Sequence, residues 1–107
     1  MKIKMFLPFT SAPLPPSSAS VDNSAATNTS IDVTWNKVDT SYFIKYIIEF
    51  TKESDISGTE VEATVAETRK KITGLDAGVK YTINVFTVTK ENVRSLTSAN
   101  TEGTVSK

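Results

Sequence analysis

Ile72-Thr73-Gly74-Leu75-Asp76-Ala77-Gly78-Val79-Lys80-Tyr81-Thr82-Ile83-Asn84-Val85-Phe86-Thr87-Val88 is the stretch whose reading decides the fold. A short apolar-ended strand runs into a glycine-containing corner, and a long alternating strand leaves it. Tyr81, Ile83 and Val85 share one face at a period of two, and β-branched or aromatic residues dominate the run. Leu75 and Gly78 lie between the two strands, and Tyr81 opens the second.

The same alternation extends upstream. At 30–35 (SIDVTW), Ile31, Val33 and Trp35 fall on one face and Asp32 and Thr34 on the other, the pattern of a half-buried antiparallel strand. Residues 42–52 form a more hydrophobic strand. Tyr46, Ile48 and Phe50 make its core face; Phe43, Lys45, Ile47 and Glu49 make its other face, with Ile44 near its entry. Helix competes here, but the density of β-branched and aromatic residues favours strand. Residues 60–65 alternate Val61, Ala63 and Val65 against Glu60, Glu62 and Thr64, and one charged face suits a sheet edge. Weaker strands are expected at 21–26 and 99–105. Seven short strands separated by polar turns, with no helical period, predict an all-β, seven-stranded antiparallel sandwich.

Residues 1–16 differ from the rest. The opening MKIKMFLPF begins like a signal peptide, but Pro8 interrupts its apolar run before the roughly 7–15 residues that a cleavable signal needs. An expression leader or a remnant of a longer chain fits better. No stretch approaches the roughly 20 apolar residues of a membrane-spanning helix. Residues 10–20 are rich in Pro, Ser and Ala and read as an extended linker, so the expected domain occupies 17–107 behind a flexible leader at 1–16.

Composition narrows the function. The 107 residues carry 12 basic and 12 acidic side chains, which argues against a dedicated nucleic-acid or anionic-membrane binder. With no Cys there is no disulfide or thiolate; with no His, the commonest general base at neutral pH is missing.

The residues quoted above resemble a fibronectin type III domain, an immunoglobulin-like sandwich. The carrying features are Ser30–Trp35, then Tyr46-Ile47-Ile48-Glu49-Phe50, then the Gly74-Leu75…Gly78…Tyr81 corner, in matching order from about 17 to 105. The corner spacing is similar to the tyrosine corner, where a Tyr hydroxyl reaches upstream backbone and pins the crossover between sheets. The resemblance implies strands A (21–26), B (30–35), C (42–51), C′ (60–65), E (68–73), F (80–89) and G (99–105). It implies a core of Trp35, Tyr46, Ile48, Leu75, Tyr81, Ile83 and Val85, the set that alternation selects independently. Three positions depart from the family pattern: Ala77 stands where Pro is frequent, Asn23 would turn inward from strand A, and Lys70 would point partly inward beside Ile72.

No catalytic, cofactor or metal site is expected. Asp32, Asp39 or the Glu60/Glu62 pair read as a solvated strand face or loop, because a general acid needs a cleft that raises its pKa. The hydroxyls lack a His and a nucleophile elbow, and Asp55 with Ser57 is too sparse for calcium. Arg69, Lys70, Lys71 and Lys80 form a basic cluster that reads as surface charge balanced by Glu60, Glu62 and Glu67. Asn28-Thr29-Ser30 is a glycosylation sequon placing an acceptor at Asn28 in the A–B turn. The Arg-Gly-Asp and Trp-Ser-x-Trp-Ser motifs that some proteins of this fold use are absent.

What remains is a non-catalytic module of an extracellular or cell-surface, receptor- or adhesion-type protein, serving as spacer and protein-interaction surface. An accessory linker domain of a secreted polysaccharide-degrading enzyme is the alternative. The expected partners are adjacent domains of the same chain and a protein ligand, with no nucleic acid and no membrane insertion; the isolated domain is expected to be monomeric. Two surfaces compete for the ligand: an outer sheet face with Phe43, Ile47, Phe86 and Val88, and the F–G loop with Val93, Arg94 and Leu96.

Overall fold

A computed structural model describes residues 14–22, 27–38 and 43–106. Its strands are β1 (Ala19–Asp22), β2 (Ile31–Trp35), β3 (Phe43–Lys52), β4 (Thr59–Thr64), β5 (Arg69–Ile72), β6 (Lys80–Thr89) and β7 (Ala99–Thr104). They form two antiparallel sheets, β1-β2-β5 and β4-β3-β6-β7. The all-β sandwich expected from alternation is therefore what the chain forms. The boundaries of β6 coincide with expectation, and β2 to β5 and β7 shift by one residue at one or both ends; β1 starts two residues early, and residues 23–26 of the expected first strand lie outside the described residues. Asn23 and Asp39 lie outside the described residues.

The inner faces follow the period of two. Ile31, Val33 and Trp35 from β2 meet Tyr46, Ile48 and Phe50 from β3 and Tyr81, Ile83 and Val85 from β6, with Ile72 and Leu75 closing one end. All seven core candidates, Trp35, Tyr46, Ile48, Leu75, Tyr81, Ile83 and Val85, are buried. Trp35 and Tyr46 stack with ring centroids 5.1 Å apart at a tilt of 56°, a preferred aromatic arrangement.

The corner needs its glycines. Gly74 and Gly78 both adopt φ of 73°, which a side chain with a Cβ resists. Between them Leu75 turns into the core and its amide donates to Thr29 O at 2.9 Å. The Tyr81 hydroxyl accepts from the Asp76 amide at 3.1 Å. The chain's far end is tied to the same corner: Gly78 N donates to Val105 O, and Val105 N to Val79 O, each at 3.0 Å. One pole of the sandwich thus holds the corner and the β1–β2 loop. The opposite pole holds the β6–β7 loop and the start of β1, where Asn36 N donates to Ser18 O at 3.2 Å.

Leu14–Pro16, inside the stretch read as linker, covers that second pole. Pro16 is buried, and the Thr87 hydroxyl donates to Leu14 O at 2.8 Å. Thr87 sits at an inward position of β6, so its buried hydroxyl requires such an acceptor.

Candidate functional site

The outer face of β3 and β6 is not the open apolar patch that alternation suggests. Phe43 is the first correction. The register shifts between Phe43, opposite Thr89, and Lys45, opposite Val88. Ile44 is the extra residue of that bulge, and it turns Phe43 to the inner face. There Phe43 is only 5% exposed and meets the Tyr46 ring edge-on at 5.1 Å; Ile44 takes the outward place.

Ile47, Phe86 and Val88 do share the outer face, with Ile47 directly opposite Phe86. They are covered by the chain itself. Ile47 is 7% and Val88 1% exposed, which corrects both as freely available contact residues, and Phe86 is half-buried. Over Phe86 the cover is Arg94, whose guanidinium lies 4.8 Å from the ring centroid. Arg94 Nη1 then reaches Glu60 of β4 at 2.8 Å, spanning the sheet across β3. Beside it Lys45 Nζ meets Glu62 at 2.8 Å. A cation over an aromatic face and a paired carboxylate together shield the apolar groups.

The same loop that supplies Arg94 exposes another side chain. The loop is held at its base by Asn92 N to Thr89 O (2.9 Å), Thr89 N to Val93 O (3.0 Å) and Ser95 N to Thr87 O (2.9 Å). The buried Ser95 hydroxyl accepts from Thr87 N at 3.2 Å and donates to Thr97 O at 2.8 Å. Asn92 adopts φ of 67°, the left-handed region that Asn tolerates better than most residues. Val93 is half-buried in this frame, whereas Leu96 is 89% exposed. These bonds brace the backbone on either side of Leu96.

The basic cluster divides. Lys80 pairs with Glu102 at 3.1 Å and Glu53 at 4.0 Å; Arg69 and Lys71 are on the other sheet. Their partners are not the expected glutamates. Asp32, at an outward β2 position, is only 7% exposed because Arg69 Nε and Lys71 Nζ each close on it at 2.9 Å. Arg69 also pairs with Asp22. The Lys71 hydrogen bond, seconded by Arg69 against the cost of burial, holds the Asp32 carboxyl below its usual range. Asp22 and Asp32 together raise the Arg69 guanidinium. Lys70 is half-buried beside Ile72.

Asn28 is exposed in the β1–β2 loop. Ser30 of the sequon is buried, its hydroxyl 2.7 Å from that of Thr27. Among the described residues no three His, Cys, Asp or Glu side chains gather as a metal site, and no helix is long and apolar enough to cross a membrane.

Comparison with solved structures gives the same architecture. The chicken CNTN1 FN1–FN3 domains superpose with a TM-score of 0.78 at 20% identity, over 88% of this chain and 31% of that one. An FN3 domain of human collagen XX gives 0.70 at 21% identity, over 88% and 94%. A two-domain fibronectin type III segment of chicken tenascin gives 0.71 at 20% identity, over 90% and 51%. The chain therefore spans about a third of the first of these and half of the third. No curated protein sequence matches. The model of the fibronectin type III domain matches residues 14–104, and with the tyrosine corner and the two sheets in place, the chain belongs to the fibronectin type III domain family.

Proposed function

We propose that this domain is a non-catalytic module of an extracellular or cell-surface protein, acting as a spacer and as a platform that presents the β6–β7 loop to a protein ligand. The observation that carries this reading is the exposed Leu96 on a loop braced by the hydrogen bonds of the buried Ser95. A rigid loop loses little conformational entropy on binding, and recognition on sandwiches concentrates in such loops. The outer sheet face is the poorer candidate, because Arg94 and Lys45 already cover it. The collagen, tenascin and CNTN1 domains that share the fold support an extracellular setting by analogy of fold.

Two measurements test the reading. An epitope tag after Ser106 in the intact source protein should stain on non-permeabilised cells; staining only after permeabilisation would refute the location. Purified wild-type domain should bind saturably to such cells, and Leu96→Glu should lose binding while keeping its circular dichroism spectrum. Equal binding by Leu96→Glu and by a swapped 90–98 loop would refute the loop as the contact surface.

A further inference from the structure

The two sheet edges on one side of the sandwich carry opposite charge. β4 ends the larger sheet and β5 ends the smaller one; they follow each other in the chain through residues 65–68, so both edges face the same flank. The opposite flank is shut, since a Cβ on Gly103 of β7 would lie 2.8 Å from Val21 of β1. On the open flank, β4 reads Thr59-Glu60-Val61-Glu62-Ala63-Thr64 and β5 reads Arg69-Lys70-Lys71-Ile72. Glu60 and Glu62 point outward from β4, and Arg69 and Lys71 point outward from β5 with half their side-chain surface open to solvent.

Strand direction decides how two copies could meet. β4 runs from the corner pole, where Thr59 pairs with Phe50, to the opposite pole, where Thr64 pairs with Lys45. β5 runs the other way, from Arg69 opposite Thr34 to Ile72 opposite Ile31. A two-fold axis parallel to the strands preserves strand direction and exchanges the two sheets. It therefore sets β4 of one copy antiparallel to β5 of the other, twice. A two-fold axis across the strands would instead oppose β4 to β4, glutamate against glutamate, and β5 to β5.

We propose that the open flank is a self-association surface, in which β4 of one copy pairs antiparallel with β5 of a second copy about a two-fold axis along the strands. In this register Glu60 stands opposite the partner's Lys71 and Glu62 opposite the partner's Arg69. On the inner side Val61 meets the stem of the partner's Lys70. All four side chains also keep partners within their own chain, Glu60 with Arg94, Glu62 with Lys45, and Arg69 and Lys71 with Asp32. Cross-strand neighbours of opposite charge stabilise a sheet and like neighbours oppose it, so the half-open charges favour this arrangement over the other two-fold. It also satisfies both open edges at once, as a closed isologous dimer does. The proposed dimer departs from the monomer expected from the sequence.

Sedimentation equilibrium on the wild-type chain should show a monomer–dimer equilibrium that tightens as salt is lowered. Glu60→Lys alone and Lys71→Glu alone should each associate about tenfold or more weakly. An equimolar mixture of the two should recover both flank pairings, as a mixed dimer. Because Lys71→Glu disturbs Asp32, a second pair avoids new charge: in a chain without native Cys, Glu60→Cys mixed with Lys71→Cys should form an interchain disulfide. A wild-type chain that stays monomeric to about 1 mM, growth beyond a dimer, or crosslinking of Glu60→Cys only with itself would each overturn the proposal.

Discussion

The Tyr81 hydroxyl accepts a hydrogen bond from the Asp76 amide at 3.1 Å, five residues upstream. Ring and hydroxyl do different work. The ring packs against Phe50 with centroids 6.3 Å apart, while the oxygen satisfies an amide that the turn between Gly74 and Gly78 cannot pair within a ladder. Tyr81→Phe removes only the oxygen and should lower stability by about 1–3 kcal/mol, the cost of an unpaired donor. Trp35→Ala removes a buried ring and should cost about 3–5 kcal/mol. Urea midpoints of the two variants, at unchanged slope, check the ranking; a Trp35→Ala midpoint equal to wild type would contradict the core assignment.

Acid should expose the Asp32 pairing. Its carboxyl is held below the ordinary range by Lys71 and Arg69, so folding favours the charged form. The resulting stability is fully present above the unfolded-state value of about 3.9 and is lost as pH falls through the lower folded value. Asp32→Asn should weaken the domain at neutral pH and flatten the acid limb of its stability profile. Chemical denaturation between about pH 2 and 7 reads both effects; a profile parallel to wild type would show that Asp32 contributes no linkage.

Arg94 should matter more to the surface than to the fold. It links Glu60 at 2.8 Å and covers Phe86, yet it is solvent-accessible, so Arg94→Ala should cost about 1 kcal/mol or less. A double-mutant cycle with Glu60→Ala isolates the ion pair, and coupling above about 2 kcal/mol would mean that the pair is shielded from water.

The pole contact predicts a sharp dependence on where the chain is cut. A protein starting at Leu14 keeps the acceptor for Thr87 and the buried Pro16. One starting at Ser17 strands the Thr87 hydroxyl and should lose about 1–3 kcal/mol. Equal thermal midpoints for the two would show that the contact carries no stability.

What was legible in the sequence is what a period of two can express. Ile31, Val33 and Trp35, or Tyr81, Ile83 and Val85, declare a face because every second residue agrees, and Gly74 and Gly78 declare a corner. Alternation puts Phe43 on the wrong face because a bulge at Ile44 breaks the period by one, and no glycine marks it. Strand position alone makes Asp32 outward and solvated; its cover comes from Arg69 and Lys71, 37 and 39 residues later. The contacts of Arg94, named from the sequence only as a loop residue, are hidden for the same reason, since its partners sit on β4 and β6. The second tyrosine contact, Val38 N to the Tyr46 hydroxyl at 3.1 Å, has no sequence marker beyond a Tyr in a strand.

The ties of Val105 to Gly78 and Val79, at one pole, and of Ser18 to Asn36, at the other, have a mechanical consequence. Tension applied between Ser18 and Val105 runs along the strand axis, so β1 is drawn lengthwise past β2 and β7 past β6. The rungs of each ladder then stretch together instead of opening one after another. Such a domain should yield at high load and extend abruptly, with a force set by the unfolding barrier and not by equilibrium stability.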